Sequence, residues 1–117
     1  MEPIEITLGE ALRLAAEGRF PEGWLFLPSR AVTLATPALV VEYGADADAR
    51  SIPFVATARG FPIEGLDKDL LEDVVEGARG LQDPPDDDLL LEAFVYYWVY
   101  DAFLPARGAP APTGGGL

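Results

Sequence analysis

Residues 89–104 read LLLEAFVYYWVYDAFL, sixteen consecutive positions without Gly, Pro, Asn or Ser. FVYYWVY has the highest β propensity in the chain, yet an unbroken run of this length suits a helix far better than a strand. At 100° per residue, Leu89, Ala93, Tyr97, Tyr100 and Leu104 share one sector, with Leu91, Val95, Trp98 and Ala102 roughly opposite. Glu92 and Asp101 point away from each other, so the helix has no polar face. A helix apolar on every side is either central to its fold or leaves one side to a partner. The spacing predicts this helix over about Asp87 to Leu104, closed by Pro105.

The rest of the chain has to supply the cover. With 117 residues there is room for one domain with a real core, expected over residues 1–104, and residues 105–117 read as a disordered Pro/Gly-rich tail. Thr7 and Glu10 form a T-x-x-E capping box, followed at helical spacing by Leu8, Ala11, Leu12, Ala15 and Ala16 until Gly18; this predicts a first helix over 8–17. WLFLP and PALVVEY are short continuous apolar runs, expected as strands buried on two faces. SRAVTLAT between them is a loop, or a short strand containing Val32 and Leu34, and GADADAR is expected as a surface loop. Ser51 can cap a short helix with Pro53 in its first turn, running through Phe54, Val55 and Ala58 to Gly60. FPIEGL reads as a third strand, short or at an edge because of Pro62, with Phe61, Ile63 and Leu66 as its apolar positions. Asp67 caps a helix that places Leu70, Leu71, Val74, Val75 and Ala78 on one face and Asp69, Glu72, Asp73 and Glu76 on the other. The sum is an α+β fold: a small three-stranded sheet covered by about four helices.

Chemistry is constrained by what is missing. The chain has no His, Cys or Asn, which excludes imidazole general bases, Ser-His-Asp and Cys-His arrangements, and histidine or thiolate metal sites. No phosphate-loop frame is present, and Ser29 and Ser51 lie in no nucleophile-elbow setting. Asp46 with Asp48, or Asp86 with Asp87 and Asp88, could in principle gather a hard cation, but ADADARSIP lacks the turn glycine and closing Glu of a calcium loop and DPPDDD looks like a helix start. No enzyme activity, metal or cofactor is expected.

Charge is the other constraint. Twenty acids stand against eight bases, for a net charge of −12, and the stretch from Glu64 to Asp101 holds twelve of those acids against Lys68 and Arg79. Such a field repels nucleic acid and anionic membranes, and it speeds encounter with a basic partner. No basic n-region and apolar h-region open the chain and no apolar run approaches a membrane span, so a cytoplasmic protein is expected. Two readings of the aromatic helix stand side by side: a core spine with tyrosine hydroxyls at the surface, and a helix whose uncovered Tyr and Trp side chains grip a protein. On the second reading, Asp69, Glu72, Asp73, Glu76, Asp86, Asp87 and Asp88 steer a basic partner, and exposed members of Tyr96, Tyr97, Trp98 and Tyr100 anchor it. The alternative is a structural module that forms a homodimer through the same helix.

Trp24-Leu-Phe-Leu, Thr36-Pro-Ala-Leu-Val-Val, the Asp67 to Ala78 helix, and Leu90-Leu-Glu-Ala-Phe-Val-Tyr-Tyr with Asp101-Ala-Phe together make a pattern over residues 5 to 104. That pattern is similar to a family of small, acidic, uncharacterised bacterial domains found among candidate immunity proteins of bacterial toxin systems. Its most specific element is the string from Glu92 to Phe103. The resemblance implies an immunity or antitoxin-type protein that binds and blocks a basic toxin, of which a nuclease with a positive cleft would be one kind. It brings no catalytic motif.

Overall fold

Alternation over only four residues, Ile4–Thr7, is enough to make a first strand, because a complementary strand waits for it. The computed structural model describes residues 3–42 and 52–105; the expected loop at 44–50, the Ser51 cap and the tail from 106 to 117 lie outside the described residues. Strand β1 (Ile4–Thr7) runs into helix α1 (Leu8–Ala16). Strands β2 (Gly23–Leu27) and β3 (Pro37–Glu42), helix α2 (Ile52–Ala58), strand β4 (Ile63–Asp67) and helices α3 (Lys68–Arg79) and α4 (Asp87–Tyr100) follow. The fold is α+β, but the sheet has four strands rather than three, all antiparallel, in the order β1-β3-β2-β4. Ile4 and Ile6 stand opposite Val40 and Ala38 and continue one face of β3 outward.

The starts of α1, α3 and α4 are chemically marked. The amide of Glu10 donates to the Thr7 hydroxyl at 3.1 Å, and those of Leu70 and Leu89 donate to the carboxylates of Asp67 and Asp86 at 3.0 and 2.8 Å. SRAVTLAT forms a loop, not a strand: its Thr36 and Leu34 carbonyls accept the amides of Leu8 and Gly9 at 2.8 and 2.9 Å, so it seats the first turn of α1.

Residue parity divides the core. Leu25, Leu27, Ala38, Val40 and Leu66 pack under α1, α3 and α4, where Leu8, Leu12, Leu71, Val74, Val75, Leu90 and Phe94 close the larger cluster. On the opposite face Phe26, Leu39 and Val41 pack with Ile52 and Ala56 of α2 and with Phe61. The covered side of α2 is therefore Ile52 and Ala56, while Phe54 stands 73% exposed beside exposed Val55 and Ala58. Two glycines are set by close backbone approach. A Cβ on Gly23 would lie 2.4 Å from the Val41 carbonyl oxygen, and one on Gly65 would lie 2.8 Å from that of Leu25. Gly65 sits where the β2/β4 register shifts, an irregularity that leaves Ile63 and Leu66 facing the same cluster.

Helix α4 packs on α1 and α3 and gives the larger cluster Leu90, Ala93 and Phe94 from its first half, and it ends earlier than expected. Asp101 turns into the left-handed region (φ 54°, ψ 39°) and its amide donates to the Tyr97 carbonyl at 2.7 Å. Asp is among the few non-glycine residues that take this conformation at modest cost. Residues 102–105 then fold back, with Phe103 against Gly77 of α3 and Leu104 and Pro105 lining a groove with Leu89 and Glu92. No helix among the described residues is long and apolar enough to cross a membrane.

Candidate binding surface

The acids expected to form one steering face do four different things. Lys68 bridges to Glu72 at 3.2 Å one turn along α3, and this hydrogen bond holds the Lys68 ammonium above its ordinary range. Glu76 pairs with Arg79, and Asp87, at the start of α4, pairs with Arg13 of α1. Asp86 is occupied as a helix cap. Asp88 is exposed in the first turn of α4, where it complements the helix dipole. Asp69 and Asp73 are exposed on α3 and, like Asp101, have no ion-pair partner among the described residues.

The aromatic residues divide as well. Trp98 is half-buried and engaged within the fold: its indole N–H donates to the Glu64 carbonyl at 3.1 Å, its ring lies 5.5 Å from Phe94, and the Arg30 guanidinium stands 5.4 Å over it. Tyr96 stacks on Tyr100 with ring centroids 4.6 Å apart. The Tyr96 hydroxyl is buried with no hydrogen-bond partner among the described residues, and this desolvation, then the neighbouring Tyr100, pushes its titration upward. Tyr100 itself is 42% exposed.

Tyr97 joins the two chemistries. Its half-buried ring packs 5.4 Å from Phe103, which is 53% exposed. Its hydroxyl is raised above the usual tyrosine range by desolvation first, then by the charges of Asp101 and Asp73. The returning segment thus sets an aromatic residue against the Tyr97 ring, and the charges of Asp101 and of Asp73 from α3 act on its hydroxyl. Exposed Tyr100 lies on the same side of the last turn of α4, whereas exposed Val99 lies on the other side of the helix. Phe103, Asp101 and Val99 were not among the residues expected to bind. Carrying α4 through to Leu104 spread them around a helix, whereas the turn at Asp101 brings Phe103 back onto Tyr97.

The remaining acids lie elsewhere. Glu72 and Glu76 line a groove of about 480 Å³ between α3 and the end of α1, with Glu17 and Arg79, and Asp73 lines it too. Asp86, Asp87 and Asp88 do not converge on a common point for a cation, and no cluster of three acids suited to a metal occurs among the described residues. Asp46 and Asp48 lie outside those residues.

A family model described as a domain of unknown function (DUF7716) matches residues 5–106. No curated protein and no solved structure matches the chain.

Proposed function

The chain belongs to that family, a domain of unknown function, and we propose from its surface that it is a non-enzymatic protein-binding module for a basic partner, of the immunity or antitoxin type. The observation that carries this reading is the packing of the Tyr97 ring on exposed Phe103, 5.4 Å away, with exposed Tyr100 and the acid Asp101 beside them at the end of α4. Tyrosine and phenylalanine edges supply contact area at small entropic cost, and the unpaired acids give a basic surface a direction of approach. The acids that already hold Lys68, Arg79 and Arg13 add to the general field rather than to the contact. A toxin with a cationic cleft is the partner chemistry this combination suits.

The test is the association of the full chain with a basic protein partner, for which a toxin with a cationic cleft is the probe. Its on-rate should fall steeply as salt rises, because exposed charges steer only within a Debye length of about 8–10 Å at ordinary ionic strength. Phe103→Ala should act mainly on the off-rate. An on-rate indifferent to salt, or an affinity indifferent to both Phe103→Ala and Asp73→Asn, would sink the proposal.

The 62% exposure of Val99, on the side of α4 away from Tyr97, favours a second reading, self-association through this end of α4. Light scattering separates the two: a monomer at high protein concentration and high salt disposes of the second.

A further inference from the structure

Helices α1, α3 and α4 end differently. The last turn of α1 carries Arg13, and the Ala16 carbonyl at its end receives a guanidinium N–H from Arg79. Arg79 also occupies the last turn of α3. Helix α4 has no basic residue in its last turn. It ends on the Asp101 carboxylate, so a full negative charge adds to the partial one that a helix C-terminus carries. Exposed Tyr100 and Phe103 flank this end.

Resting on the protein-binding reading above, we infer that the end of α4 is a receptor for an arginine side chain presented by the partner. The guanidinium would lie against the ring of Tyr100 or Phe103 while its N–H groups reach the Asp101 carboxylate and the last carbonyls of α4. Two arginines within the chain show each half of this recognition: Arg30 stands over the Trp98 ring, and Arg79 donates to the carbonyl at the end of α1. A planar fork of five donors can stack and donate at once, whereas an ammonium is compact and firmly hydrated. Leu104 and Pro105 lie away from the site, in the groove beside Leu89 in the first turns of α4.

The probe is the acetylated and amidated peptide Gly-Leu-Arg-Leu-Gly, with versions in which lysine or citrulline replaces the arginine, titrated into the full chain and followed by NMR. The arginine peptide should give saturable shifts at Tyr100, Asp101 and Phe103. The citrulline peptide should give none there, and the lysine peptide should bind at least about tenfold more weakly. Asp101→Asn, which retains tolerance for the left-handed conformation, should reduce the arginine peptide to the citrulline level, while Asp88→Asn at the other end of α4 should not. Equal binding of the citrulline peptide overturns the arginine receptor. Equal binding of the lysine peptide overturns its selectivity but leaves the basic-partner reading standing. Shifts confined to other surfaces overturn the receptor, and the Phe103→Ala measurement with the basic protein partner then decides separately whether the patch binds protein.

Discussion

The indole N–H of Trp98 donates to the carbonyl of Glu64 at 3.1 Å, which ties α4 to the edge strand β4. Unpaired groups along a sheet edge invite pairing with other chains, and a bulky side chain fastened across one is a way of blunting that edge. Trp98→Phe retains an aromatic ring beside Phe94 but leaves the Glu64 carbonyl without this donor. Folding stability should fall by about 0.5–1.5 kcal/mol in urea titration. No change would mean that water replaces the indole without loss.

At Gly23 the backbone of β3 approaches too closely for any side chain. A Cβ would meet the Val41 oxygen and the Glu42 Cα at 2.4 and 2.8 Å, both of them backbone atoms that cannot rotate aside. Gly23→Ala should therefore cost at least ~2 kcal/mol or prevent folding, in line with overpacking penalties. Gly18→Ala meets no atom within 4 Å and is penalised only by its φ of +70°. It should cost less, about 1–2 kcal/mol. Comparing the two urea midpoints checks the ranking.

Arg79 connects α3 to the end of α1 by reaching the Ala16 carbonyl while pairing with Glu76. Arg79→Met preserves much of the aliphatic stem and removes both interactions. A loss of about 1 kcal/mol is expected, with faster amide exchange in the last turn of α1 as the local signature. Arg79→Lys should recover little, because one ammonium lacks the fork that reaches in two directions.

The titrations of Tyr97 and Tyr96 are both raised in the folded protein. A raised value means that the folded state holds its proton longer than the unfolded one. The associated stability is complete below the ordinary tyrosine value near 10 and is lost as pH climbs through the higher folded value. Urea midpoints should therefore decline on the alkaline side of about pH 10. Tyr97→Phe should flatten that decline, and an unchanged slope would contradict the raised titration.

Much of the architecture was legible because local signals agreed with tertiary packing. Thr7 and Asp67 each cap the helix expected of them, and the apolar face Leu71, Val74, Val75 and Ala78 is buried as its spacing implies. Strand β1 went unread because Ile-Glu-Ile-Thr is too short to stand alone and takes its stability from pairing with Pro37–Val40. The end of α4 was misplaced because Asp101 scores as an ordinary helix residue, and only its left-handed geometry marks the stop. That single turn determined which residues form the surface patch. The acid list was legible as charge but not as function, since pairing with Arg13, Lys68 and Arg79 depends on side chains brought together by the helix packing.

The strand order also prescribes a sequence of assembly. The central pair, β2 and β3, is joined through residues 28–36, whereas Phe26 meets Glu64 and Ile4 meets Val40 only across much longer stretches of chain. Loop-closure entropy favours the central hairpin as the first pairing, with the two margins added onto a template that already exists. Substitutions such as Val40→Ala should then slow folding, while those in β1, such as Ile6→Val, should chiefly quicken unfolding. A chevron in which Ile6→Val moves only the folding limb would reverse that order, making the outermost strand the nucleus of the sheet.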